Sequence, residues 1–197
     1  MSYSDTRTRD KRFGDVATAV LFLAALVAAF TFAVSPLVGF VHVTGFAVGL
    51  ARWLGRPARA AFSDIKVPYL VALGAFAVHR IDEEVSDFVP AIEEVAGREA
   101  VDVLSIGSLI LVVLSLAWML SPLLLRYGHP LGQFGAWSVF AGFGVIELWH
   151  FVFPLLTPEP YGYFPGMITA PIIAAAGWWG MWKMWQVTKR PAGKLDR

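Results

Sequence analysis

The stretch VATAVLFLAALVAAFTFAVSPLVGFVHVTGFAVGLARW, residues 16–53, decides the fold. It is apolar almost throughout, too long for one ordinary membrane span, and interrupted at Ser35-Pro36. A proline inside a helix loses a hydrogen bond and clashes with the preceding turn. Two arrangements therefore compete: one long helix kinked at Pro36, or a hairpin of two spans of roughly 18 residues each, near the lower limit for crossing a bilayer. Charge favours the hairpin. Arg7, Arg9, Lys11 and Arg12 precede the run and Arg52, Arg56, Arg59 and Lys66 follow it, so the positive-inside rule draws both flanks to the cytoplasmic side.

Composition agrees with this reading. The chain is 57% hydrophobic, 14% aromatic and only 16% charged, with a mean hydropathy of +0.61. A single water-facing domain of that composition would leave much apolar surface exposed. The net charge of +1 is small and the charges are segregated along the chain, so no broad basic surface points to nucleic acid. No cysteine is present, which excludes disulfides, thiolate metal sites and cysteine nucleophiles. The basic start resembles a signal peptide, but the apolar run outlasts such a segment and shows no small-residue cleavage site.

Beyond the first run, a span opens at Val67 and ends in His79-Arg80-Ile81-Asp82-Glu83-Glu84. Residues 82–102 carry eight acidic groups against Arg98 alone and are expected to lie outside as a solvated loop. Further spans follow at residues 105–125 and 131–156, separated by an inner turn at His129-Pro130. Pro158 and Pro160 then bar helix continuation. The final span begins near Tyr163 and carries Trp178, Trp179, Trp182 and Trp185 as an interfacial aromatic belt. The expected fold is an all-α, polytopic transmembrane helix bundle of six spans, or five if the first run is one kinked helix. Residues 14–188 form one transmembrane domain between cytoplasmic tails at 1–13 and 189–197, in a multi-pass protein of the cell membrane.

Ionisable groups inside apolar spans are costly to bury and so mark candidate sites. On a helix, His79 shares a face with Asp82 and Glu83, at three and four residues' spacing. Glu147-Leu148-Trp149-His150 is an E-x-x-H pair, the spacing by which helix bundles present two metal ligands. At 1.5 Å per residue, His79 and Glu83 lie about 18 and 24 Å beyond Val67, and Glu147 and His150 about 24 and 29 Å beyond Leu131, on helices crossing in the same direction. His42, just past the hairpin tip, falls at a similar level, whereas His129 lies at the opposite side and is excluded. The candidate ligands are thus His79, Glu83, Glu147, His150 and His42, with Asp82 or Glu84 as general base or as a group supporting a ligand. A nitrogen and oxygen donor set without sulfur suits zinc or non-haem iron. The bland alternatives are a helix end with solvated carboxylates, a structural ion pair at Glu147, and a packing role for His42.

The chain also resembles the HXXEE-motif family of integral membrane proteins of bacteria and archaea. The resemblance covers residues 67–188 and rests on three motifs in order. H-x-x-E-E stands here as His79-Arg80-Ile81-Asp82-Glu83, with aspartate at the first acidic position. N-x-x-x-H keeps His150, with Ile146 at the asparagine position and Glu147 one residue later. Y-x-P-G-x-x-T-A is intact as Tyr163-Phe164-Pro165-Gly166-Met167-Ile168-Thr169-Ala170. The resemblance implies a membrane-embedded, metal-dependent enzyme of unassigned substrate. On physical grounds the third motif suits the start of a span, with proline in the first turn and small residues for close helix approach, leaving Tyr163 as a candidate proton donor at the rim.

The expected function is an integral-membrane metalloenzyme, a hydrolase or oxidoreductase, acting on a membrane lipid or other lipophilic small molecule. Desaturase-like chemistry is disfavoured, since that pattern needs about eight histidines and this chain has 4. The competing expectations are a non-catalytic subunit or assembly factor with a membrane-protein partner or a second copy, a cation-coupled transporter, and a metal-free His/Glu acid-base isomerase.

Overall fold

At Ser35 the first apolar run stops being helical and starts again. The Ser35 hydroxyl accepts the Val38 N–H at 3.1 Å and Pro36 takes the first helical position, where its missing N–H is no loss. In the computed structural model, which describes residues 10–57, 60–97 and 106–189, this gives α1 (Phe13–Ala33) and α2 (Pro36–Leu54). They are antiparallel: Lys11, ahead of α1, donates to the Trp53, Leu54 and Arg56 carbonyls at the far end of α2. The hairpin, not the kinked helix, is what the chain forms. Arg7, Arg9 and Arg59, used to anticipate it, lie outside the described residues.

The remaining elements are α3 (Phe62–Val85), α4 (Phe88–Ala96), α5 (Ile106–Arg126), α6 (Pro130–Val145) and α7 (Ala170–Lys189). All seven are α-helices, and no strand occurs among the described residues. Among the described residues, three stretches are long and apolar enough to cross a membrane: α1, α2 and the run Pro130–Leu155.

Four boundaries differ from expectation. The α3 helix begins at Phe62, five residues before Val67, because the Asp64 carboxylate accepts the Ala61 N–H and starts the first turn early. As far as Gly97 the acidic stretch is not a solvated loop: α4 lays Phe88 and Ile92 against Val41, Phe153 and Phe164, and Glu93 is buried, while Glu99 and Asp102 lie outside the described residues. The helix after His129 is α-helical only to Val145, then tightens into 3-10 turns at Ile146–Phe151 and Phe153–Leu155. The α7 helix starts at Ala170, not near Tyr163, so residues 163–169 form turns ahead of it.

The organising helix is α6. Nearly every residue from Gly132 to Gly144 is buried, the pattern of a helix enclosed on all sides. It packs against α2, α5 and α7, and its backbone comes close to that of α7 where Gly144 meets Gly177. A Cβ on Gly177 would stand 2.5 Å from the Gly144 nitrogen and 2.7 Å from the Phe140 oxygen, both backbone atoms that no rotamer change can move. Gly177→Ala is therefore expected to part the two helices and cost about 1–3 kcal/mol, read as a lower unfolding midpoint in detergent. An unchanged midpoint would mean that this crossing is looser than the structure has it.

Candidate metal centre

Helical spacing on α3 puts His79 and Glu83 on one buried face, while Glu84 is exposed and Asp82 half-buried beside them. Facing them is the 3-10 turn that continues α6. With three residues per turn, positions i and i+3 eclipse, so Glu147 and His150 are stacked one above the other more closely than an α-helix would hold them. The third contributor is the turn segment 163–169 ahead of α7.

These elements bring four donors together. Glu147 Oε2 lies 2.8 Å from His79 Nε2 and 3.5 Å from His150 Nε2. Glu83 Oε1 lies 3.4 Å from each of the same two nitrogens. Donor atoms of His79, Glu147 and His150 all fall within 4.8 Å of one another, and the group could hold a metal ion. For comparison, tetrahedral ligands about 2.0–2.1 Å from a zinc ion stand roughly 3.3–3.4 Å from each other. Two of the four separations, both 3.4 Å, match that edge, and a third, 3.5 Å, is close to it.

The far side of each ring shows which nitrogen faces the cluster. His150 Nδ1 is 2.6 Å from the Pro165 carbonyl, which can only accept, so Nδ1 carries the proton. Behind His79, the Thr169 hydroxyl donates to Asp82 Oδ2 at 2.7 Å and accepts from His79 Nδ1 at 2.6 Å. Both neutral imidazoles are thereby fixed as Nδ1–H tautomers with the Nε2 lone pair turned inward, the arrangement found at metal-ligating histidines. His79 Nε2 is buried and has no hydrogen-bond partner among the described residues, because Glu147 Oε2, though near, lies outside hydrogen-bonding geometry.

Charge adds a second reason. Glu83 and Glu147 are both buried, and two carboxylates taken out of water need positive charge close by. The Arg80 guanidinium bonds Glu83 Oε2, leaving Oε1 for the cluster. Glu147 has no arginine or lysine pair among the described residues. Phe88, Phe153 and Phe164 then close over His150, with ring centroids at 5.1, 6.0 and 6.3 Å, and keep the surroundings apolar.

Of the residues singled out from sequence, His79, Glu83, Glu147 and His150 converge. His42 does not join them: its Nδ1 bonds the Val38 carbonyl at 2.8 Å and its ring stacks on Phe30 at 3.6 Å, as an α1–α2 packing residue. Glu84 is exposed on another face of α3, and Tyr163 is 58% exposed, so neither sits among the buried donors. Asp82 acts through Thr169 on the back of His79, not as a free base. Sequence reasoning missed Pro165, Gly166 and Thr169 as parts of the site. Their only signal was the Y-F-P-G-M-I-T-A motif, which was read as helix packing.

Thr169→Val is expected to weaken metal binding about 10- to 100-fold by releasing His79 Nδ1, with Thr169→Ser restoring it. Titration of the metal-free protein with zinc checks both, and equal affinity in all three proteins would mean that the hydroxyl does not support His79. Comparison of the chain with protein-family models, with curated proteins and with solved structures finds no match.

Proposed function

We propose that this protein is an integral-membrane, metal-dependent enzyme with six crossings and both termini on the cytoplasmic side, acting on a lipid or other lipophilic molecule. The observation that carries the reading is the inward convergence of two imidazole Nε2 atoms, each fixed by an Nδ1 bond behind it, on two buried carboxylates. His79, His150 and Glu147 would hold the ion, and Glu83 would complete the set through Oε1. A bound zinc or iron would supply Lewis acidity, polarising a substrate oxygen or lowering the pKa of a water. The chain's own residues orient and shield. Thr169 and Pro165 hold the rings, Arg80 offsets Glu83, and the phenylalanine wall excludes bulk water. The three stretches that carry the resemblance to the HXXEE-motif family, far apart in sequence, meet at this one point, which supports the same reading. The wall of Phe88, Phe153 and Phe164 beside His150 is what supports a lipophilic substrate.

One observation favours a second reading. The 2.8 Å separation of His79 Nε2 and Glu147 Oε2 also suits a protonated imidazole beside a carboxylate, a pair that could move a proton in a metal-free isomerisation. Metal content of the full chain purified in detergent, by plasma mass spectrometry, separates the two. The expected result is about one zinc or iron per chain. No metal after purification without chelator, and no uptake on adding zinc or iron, would overturn the metalloenzyme reading in favour of the acid-base pair.

A further inference from the structure

A different cluster lies at the opposite end of α2. Arg52 in the last turn of α2 and Arg56, two residues past its end, both stand over the Trp185 ring of α7, with guanidinium carbons 5.2 and 3.4 Å from its centroid. Two like charges held over one ring repel, and among the described residues neither arginine has a carboxylate within ion-pair distance. The usual reason for cations at a helix C-terminus is to satisfy its last carbonyls. Here Lys11 already does so, bonding the Trp53, Leu54 and Arg56 oxygens. The two guanidiniums are therefore pre-organised by stacking, crowded, and uncommitted.

We propose that Arg52 and Arg56, held on Trp185, form a binding site for the phosphate of an anionic membrane phospholipid. A phosphodiester between them would relieve their mutual repulsion and accept hydrogen bonds from two planar donors, the pairing to which arginine is best suited. The neighbouring Trp182, half-exposed on α7, belongs to the side-chain type that sits at headgroup level, and basic sites between helices at the cytoplasmic face take anionic headgroups. The site rests on the membrane placement proposed above but not on the metal centre, which occupies the other end of α2. Failure of the membrane placement would show separately, as a chain that does not enter lipid discs.

The test uses full-length protein in nanodiscs of phosphatidylcholine alone or mixed with phosphatidylglycerol, with the unfolding midpoint and the lipids retained in native mass spectrometry as readouts. Wild type should gain several degrees from phosphatidylglycerol and retain it preferentially. R52Q/R56Q should lose both effects, measured against its own phosphatidylcholine baseline. K183Q/K189Q, which removes the same charge from α7, should keep them. Equal stabilisation of R52Q/R56Q would overturn the proposal. So would an equal loss in K183Q/K189Q, which would signal diffuse attraction, or the same gain from inorganic phosphate in phosphatidylcholine discs, which would make free phosphate the ligand.

Discussion

His79→Ala and Glu147→Ala proteins are expected to emerge from purification without metal, a larger loss than the roughly 10- to 100-fold that follows from disturbing only the groups behind a ligand. Each removes one of the donors that converge within 4.8 Å. They should also be less stable than metal-free wild type. Removing His79 takes away the nearest partner of the buried Glu147 carboxylate, and an uncompensated buried charge costs about 3–5 kcal/mol. Glu147→Gln separates the two effects, since it removes the charge and the ligand strength but keeps the shape: metal should be lost while the unfolding midpoint stays close to that of metal-free wild type. His42→Phe, Glu84→Gln and Tyr163→Phe serve as the contrast. All three should keep full metal content. Loss of metal in His42→Phe as complete as in His79→Ala would mean that the ligand set has been misassigned.

Gly166→Ala should damage the site almost as much without touching a ligand. Gly166 has φ +84, where an alanine is strained, and a Cβ there would lie 2.5 Å from His150 Cε1, 2.6 Å from its Nδ1 and 3.0 Å from His79 Cε1. The added methyl must displace both imidazoles or pull the 163–169 segment away, breaking the bond from His150 to Pro165. Overpacking of about 1–3 kcal/mol and a left-handed penalty of about 1–2 kcal/mol act together. The expected outcome is a midpoint lowered by several degrees and metal affinity reduced by more than about 10-fold. Wild-type affinity in Gly166→Ala, measured by zinc titration, would show that the segment does not press on the rings as described.

Much of this architecture is legible in the chain, and the parts that are not have identifiable causes. The α1–α2 hairpin follows from Ser35-Pro36 and the basic flanks, because a cap, a proline and a charge rule all agree there. The pairing of His79 with Glu83 follows from α-helical spacing alone. Glu147 and His150 were found by the right spacing in the wrong helix type, since nothing in Gly142-Phe143-Gly144-Val145 announces that the backbone will tighten after Val145. The acidic count of residues 82–102 hid α4, whose Phe88, Ile92 and Val95 recur at helical spacing between the carboxylates. Thr169 and Pro165 were invisible as site residues because their contributions, a hydroxyl and a backbone carbonyl, depend on a chain fold-back that composition does not encode.

The polarity of α3 has a consequence for how the protein is made. With Asp64, Lys66, Arg80, Asp82, Glu83 and Glu84 along it, α3 is absent from the stretches apolar enough to cross a membrane by themselves, and each such charge opposes partition from the translocon by roughly 2.5–3.5 kcal/mol near the bilayer centre. Its natural companions are α7 and the 3-10 turn after α6, which are made after it. Arg80 offsets Glu83 within α3 itself, but His79 gains its partners Glu147 and Thr169 only when those later residues have been made. On the membrane placement proposed above, α3 settles in the bilayer only after residues 147–169 have been made, and a chain truncated before Thr169 should hold α3 less firmly in lipid.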